Sequence, residues 1–426
     1  MFDLGGEINL KWFKVITLIL LLFIEKQTRV LGINISAVEI FAGILFLFIV
    51  ARVIKEKISL REVFSDKRLN ISYGIYFLGI VMLIIYHNIG SMSFIFKYIM
   101  AIIIAFMVFV DFYFQDNDEE SWKIYFNVLI LISFVVIFYG IYEVSNIYYM
   151  PKRFDSFFWG VSNRMCSRFL IIMPIAFFLA KYKDKRYYVL FYIMVLGIFM
   201  TVSRGGLIIF GVFLLLNIKD FIKKSNILKT VCGFSAIAVI MYALGLLQSL
   251  LYRSSFLGKQ IKYQANHQIK DAFTKNSGDV ASYSISRLMI WKHAVDQFIE
   301  KPFAGIGMDK YRYFYYTGNT RVSEVNVHNW VLELLCEIGI LGFIITLCLI
   351  VAFYILIIRR YRYAIRYDDT NMKVLSLVGF WSLSLFLLHN LVEASTNSLM
   401  FSYAGVSTFL ICILGITLGY KKDKKI

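Results

Sequence analysis

Proline is almost missing from this sequence: there are 3 in 426 residues. Proline is the residue that most often breaks a helix, so long uninterrupted helices meet little obstruction here. Cysteine is scarce too. Cys166, Cys232, Cys336, Cys348 and Cys412 all lie in or beside apolar runs. No CxxC spacing occurs, so neither a zinc site nor a disulfide framework is indicated, and small core residues are expected. Walker, HExxH and GxSxG patterns are absent, so nothing points to ATP, zinc or a serine nucleophile. Gly305-Ile306-Gly307 has no preceding strand and no third glycine, so it reads as a turn after Pro302. Acidic residues are outnumbered 28 to 45 by Lys and Arg, for a net charge of +17. That surplus does not require nucleic acid as a partner; its distribution along the chain decides its meaning.

What is abundant is apolar. The chain is 59% hydrophobic, and its apolar blocks of roughly 18–25 residues alternate with short charged pieces. Lipid leaves no partner for exposed backbone groups, so long blocks without strict alternation mean helices rather than a barrel. The expected fold is an all-α integral membrane protein of about twelve spans. They lie near 14–31, 35–53, 71–88, 93–110, 123–144, 164–180, 188–203, 206–218, 228–251, 329–358, 374–391 and 400–419. The first follows Lys11 and Lys14 as a signal peptide would. Glu25-Lys26-Gln27 offers no small-residue cleavage site, so an uncleaved span is expected. The organisation is then 1–251 with nine spans, 252–328 as a loop, and 329–426 with three spans and a basic tail.

Orientation follows from Lys and Arg. With the N-terminus inside, the inner segments hold 26 positive residues and the short outer ones hold 7. This asymmetry puts both termini in the cytoplasm. The acidic inner segment 111–121 does not upset it, because acidic residues weigh little in the rule. The long loop from Tyr252 to Val327 is then extracytoplasmic. Long loops translocate regardless of charge, so its eleven Lys/Arg are no objection. Within it, Ile285 to Glu300 reads as an amphipathic helix. Ile285, Leu288, Val295, Phe298 and Ile299 form its stripe, and Lys301-Pro302 ends it. A lid lying on the membrane surface is an equally good account of that helix.

Two junctions carry ionisable groups at the membrane edge, where such groups are expensive. One is His328-Asn329, running into a span with Glu333 and Glu337; a plain helix start is the alternative. The other is Thr201-Val202-Ser203-Arg204-Gly205-Gly206, which is either a tight hairpin turn or an anion-binding arginine. In this topology Arg204, Arg287 and His328 share the outer face. Two cations and a base suit an anionic lipid headgroup.

Three pieces in order resemble the O-antigen ligase and polymerase family of membrane glycosyltransferases. Thr201-Val-Ser203-Arg204-Gly205 looks like its T-x-S-R-G turn. Arg287-Leu-Met-Ile-Trp291 with Pro302-Phe-Ala-Gly305-Ile-Gly307 looks like its R-x-x-x-W and P-x-x-G-x-G element. His328-Asn329-x-x-Leu332-x-x-x-x-Glu337-x-Gly339 looks like its H-N-x-x-L-x-x-x-x-E-x-G helix start. Asn163 is similar to a further family asparagine, although Ser162 stands where a proline often precedes it.

The resemblance implies a GT-C-like fold of about twelve helices in the bacterial inner membrane, with the active site on the outer face. It implies glycan transfer from an undecaprenyl-diphosphate donor to a glycan or lipid acceptor, with inversion and without metal, ATP or other cofactor. Arg204 and Arg287 would bind the diphosphate. His328 would activate or position the acceptor hydroxyl. Ser203, Asn329, Trp291 and Glu337 would complete the substrate site. The motifs do not separate a polymerase, slightly preferred because it serves many envelope types, from a ligase acting on lipid A core or another acceptor. A chain-length regulator is a further partner such an enzyme can have. A flippase would favour charges at the bilayer midplane, where Lys97 and Glu39 are the nearest examples, and both fit snorkelling or pairing better. A wall polymerase of the shape-and-division class would need a loop carboxylate, and nothing singles out Asp271, Asp279 or Asp296.

Overall fold

Ten of the expected apolar blocks fold as helices in the computed structural model. It describes residues 14–16, 18–19, 27–30, 33–36, 67–87, 92–113, 119–147, 152, 154, 159, 161–251, 287–308, 310–311, 313–317, 320–325, 327–393 and 406–420. Two strands, β1 (Gln27–Val30) and β2 (Ile33–Ser36), come first. The helices follow: α1 (Lys67–His87), α2 (Met92–Tyr113), α3 (Glu119–Ser145), α4 (Ser162–Tyr182), α5 (Tyr187–Met200), α6 (Arg204–Leu216), a single turn α7 (Ile218–Phe221) and α8 (Lys224–Ala243). Then come α9 (Arg287–Glu300), strands β3 (Tyr313–Thr317) and β4 (Thr320–Val325), α10 (Trp330–Arg366), α11 (Thr370–Val392) and α12 (Val406–Gly419).

Among the described residues, α3, α4, α8, α10 and α11 are long and apolar enough to cross a membrane; α1, α2, α5, α6 and α12 contribute shorter apolar stretches. The expected count of twelve is therefore not reached among them. The first expected span is helical at 14–16 and 18–19, and most of the second, 37–53, lies outside the described residues. The fold is helical as expected, with two short antiparallel hairpins set among the helices. Residues 27–36 pair as an antiparallel hairpin, so the first span does not reach 31 and the second does not start at 35. The physical reason is local: β-branched Thr28, Val30, Ile33 and Ile35 flank a two-residue connection containing Gly32. A second antiparallel hairpin pairs β3 with β4, inside the segment expected as loop.

Helix α4 is the centre of the bundle. Every residue from Met165 to Ala180 is buried, and α5, α11 and α12 pack against it. Helix α8 is its opposite, with only Ile237 and Met241 buried, as expected of a helix whose other faces meet lipid. At one end of the bundle the polar groups tie helix termini together. Glu119 at the start of α3 takes Lys183 at 2.9 Å and Asn371 at 2.6 Å. Lys181 meets Asp220 at 2.6 Å, and the Arg360 guanidinium donates to the carbonyls of Leu418 and Tyr420.

The other end is shaped by a break in α10. Gly339 has φ +66°, which is not helical, and this frees backbone groups on both sides of it. The segment after α9 fills the gap. Ile306 N donates to Cys336 O at 2.9 Å and Gly307 N to Glu337 O at 2.8 Å. In return Ile340 N donates to Pro302 O at 2.8 Å and Leu341 N to Phe303 O at 3.2 Å. The groups freed by the kink are thus paired again, as a buried helix break requires. The approach is so close that a Cβ on Gly305 would strike the Glu337 backbone, and one on Gly339 the Phe303 backbone. Gly305 also has φ +74°.

Candidate functional site

The break in α10 holds α9 across the end of the bundle, and Arg287 is the first residue of α9. Its Nη1 donates to Val392 O at 2.5 Å and its Nη2 to Glu393 Oε1 at 2.5 Å. Glu393 ends α11 and is 6% exposed. Its other oxygen, Oε2, accepts from Asn163 Nδ2 at 2.6 Å, at the start of α4. One carboxylate therefore joins α4, α9 and α11.

The Thr201–Gly206 turn packs onto the same carboxylate. A Cβ on Gly205 would lie 3.0 Å from Glu393 Cγ, and one on Gly206 would run into Cys166 of α4. The glycines here serve close approach rather than an unusual φ. Ser203 is 1% exposed and caps α6, its Oγ accepting from Gly206 N at 3.3 Å. Arg204 is half-buried at the first position of α6, where the helix dipole also favours an anion.

His328 lies within electrostatic range of both Glu393 and Arg287. Burial holds its pKa below the usual imidazole value; Glu393 pulls it up and Arg287 pushes it down further. A neutral imidazole at pH 7 is the result. Its Nδ1 is buried and has no hydrogen-bond partner among the described residues. His328 has φ +55° and Val202 φ +49°, left-handed conformations that are uncommon for any non-glycine and an outlier for a β-branched residue. Such strain, about 1–3 kcal/mol each, collects at functional sites.

The remaining expected residues take supporting places. Asn329 Oδ1 accepts from Val331 N at 3.0 Å and Leu332 N at 3.2 Å, capping α10. Trp291 Nε1 donates to Val327 O at 3.0 Å, pinning α9 beside His328. Glu337 is buried below the site, its Oε1 accepting from Tyr311 N at 3.3 Å. Sequence reasoning missed Glu393 and His389. His389 is fully buried one turn before Glu393, and neither ring nitrogen has a partner among the described residues. The signal was there: both are ionisable groups at the end of an apolar block. Among the described residues no group of His, Cys, Asp and Glu is arranged to hold a metal.

Residues 189–347 match the family model described as O-antigen ligase. The match supports the O-antigen ligase and polymerase family for this segment. The segment runs from α5 to about the middle of α10 and holds Arg204, Arg287, Trp291, His328 and Glu337. No curated protein matches the chain. Members of the family are membrane enzymes of surface-polysaccharide assembly that act on lipid-linked glycans. Asn163, His389 and Glu393 fall outside the matched segment and join its residues only through the fold.

Proposed function

We propose that the protein transfers an oligosaccharide from an undecaprenyl-diphosphate donor to an acceptor hydroxyl, at the site between α4, α6, α9 and α11. The observation that carries this reading is the Arg287–Glu393–Asn163 chain with a neutral histidine in its field. Val392 O and Glu393 take two of the Arg287 donors. The other N–H groups of that fork, with the guanidinium of Arg204, suit phosphate oxygens, whose geometry a planar fork matches.

The acceptor oxygen forms a bond to the anomeric carbon as the bond from that carbon to the diphosphate oxygen breaks, with inversion. The acceptor proton passes to His328. Undecaprenyl diphosphate leaves with the negative charge, which Arg204 and Arg287 offset. The acceptor preferred is a second lipid-linked glycan, making the protein a polymerase; a ligase would use lipid A core or another acceptor with the same chemistry.

The test is purified protein in liposomes with undecaprenyl-diphosphate-linked glycan. The expected product is a longer lipid-linked glycan, formed equally well in EDTA. Transfer only when lipid A core is added makes the protein a ligase. Movement of glycan across the membrane with no new bond would make it a transporter. His328→Ala and His328→Gln should still bind donor but transfer at least tens of times more slowly, since general-base catalysis contributes about 10²–10⁴-fold. A near wild-type His328→Gln would leave His328 only a positioning role.

A further inference from the structure

Helix α9 has three sides rather than two. Residues three, four or seven apart share a side of an α-helix. Lys292, Asp296 and Glu300 follow one another at intervals of four, and all three are exposed, so they make a polar side. Arg287, Ile290 and Ala294 are spaced by three and four and make the side that packs on the protein; Ile290 and Ala294 are both buried. Val295 and Ile299 are also four apart, and they line a third side, flanking the polar one. They are 38% and 67% exposed, and Phe303 beyond the helix end is 71% exposed. A helix resting on protein with its other side in water has no use for this apolar edge.

The edge continues a surface that faces lipid. Phe303 is tied by its carbonyl to Leu341 N at 3.2 Å, just past the break in α10. Leu341 and Ile344 are 49% and 48% exposed on α10, one of the long apolar helices. Arg359 is the first charge at the far end of α10, and residues 338–358 carry none. Counting back from Arg359 at about 1.5 Å per residue, a hydrocarbon layer of roughly 30 Å ends near Gly339. The break in α10, and Phe303 hanging from it, therefore sit at the hydrocarbon boundary. Lys292, Lys301 and Lys310 are exposed nearby, at the height where lipid phosphates lie.

We infer that Val295, Ile299 and Phe303 form a membrane-surface contact, inserted among the outermost acyl carbons of the leaflet at the site end. The occupant is phospholipid. This rests on α10 spanning the membrane and not on the transferase reading. Inserted at its C-terminal end, α9 is held flat with Arg287 about 20 Å away at its other end. Lipid packing then helps fix the height of Arg287 above Glu393.

The experiment uses the full chain in phosphatidylethanolamine–phosphatidylglycerol nanodiscs, with the exposed Cys232 and Cys348 replaced by serine. Nitroxide labels go on Ile299→Cys, Phe303→Cys, Asp296→Cys and, as a lipid-facing reference, Ile344→Cys. Collisions with oxygen report lipid, and collisions with a water-soluble nickel chelate report water. Labels at 299 and 303 should match 344, with oxygen dominating, and 296 should show the reverse. A label at Val295 replaces the one at 303 if the latter disturbs folding. Nickel accessibility at 299 and 303 equal to that at 296 overturns the inference. Shielding of both from both reagents also overturns it, because a protein, a second copy included, then covers the edge.

Discussion

Glu393 gathers what the rest of the site uses. Its carboxylate is nearly buried and accepts from Arg287 at 2.5 Å and from Asn163 at 2.6 Å. Glu393→Gln keeps the shape and removes the charge. Hydrogen bonds to charged groups contribute about 1.5–3 kcal/mol, so a misplaced Arg287 should slow transfer about 10- to 100-fold. The pH profile gives a second readout. His328 must be neutral to take a proton, so the rate falls as pH drops through its pKa. Burial keeps that pKa low, and Glu393 opposes the lowering. Without the Glu393 charge the pKa drops further, so the acid limb of Glu393→Gln should move to lower pH. A limb that stays put or moves up would uncouple Glu393 from His328. Arg287→Lys should also lose activity, by about 2–4 kcal/mol if transition-state donors are lost, because an ammonium does not replace a fork that spans Val392 O and Glu393 at once. Full activity in Arg287→Lys would remove the bidentate role.

At the scale of elements, the break in α10 is what turns a span into a site. It makes a seat for Pro302–Gly307, and that seat fixes α9. Gly339 and Gly305 are each irreplaceable for two reasons, a left-handed φ and a neighbouring backbone with no room for a Cβ. Gly339→Ala and Gly305→Ala should each destabilise by several kcal/mol, since strain of about 1–3 kcal/mol adds to a backbone clash that no side chain can relieve. Gly74→Ala in α1, where nothing lies within 4 Å, should be neutral or slightly stabilising. Thermal melting in detergent compares the three, and equal melting temperatures would show that the seat for Pro302–Gly307 does not stabilise the fold. This element also marks how far the sequence could be read. Apolar block length located ten helices, because lipid forces backbone groups to pair within each block. The kink was not legible, because Gly339 looks like any helical glycine until Pro302–Gly307 comes to meet it. The β3–β4 hairpin was legible in the glycine-asparagine pair between its two aromatic and β-branched runs, and was overlooked. Glu393 was in view as well, but only folding brings Asn163 and Arg287 to it from 230 and 106 residues away.

The whole molecule is polarised. The end opposite the site collects Lys123, Lys181, Lys183, Lys373 and Arg360, with Glu119, Asp220 and Asn371 tying their helices together. The site end holds Arg204, Arg287 and His328, with Glu393 joining three of its helices. Positive residues favour the cytoplasmic side, so the crowded basic end should face in and the site should face out. The helix lengths agree with a recessed site. Helix α5 has 14 residues and α6 has 13. At about 1.5 Å per residue each rises roughly 20 Å, short of a hydrocarbon layer of about 30 Å. Starting from the basic end, their connecting turn with Arg204 stops below the opposite surface. Single cysteines test the orientation in a variant whose exposed Cys232 and Cys348 are replaced. Cysteines at Lys224 and Arg362, at the basic end, should stay unlabelled by an impermeant thiol reagent in intact cells. One at Lys57 should stay unlabelled too, and one at Lys275 should be labelled; these two lie outside the described residues. Labelling of Lys224→Cys and Arg362→Cys in intact cells would turn the molecule over. His328, Arg204 and Arg287 would then face the cytoplasm, and transfer on the outer face would fail with them.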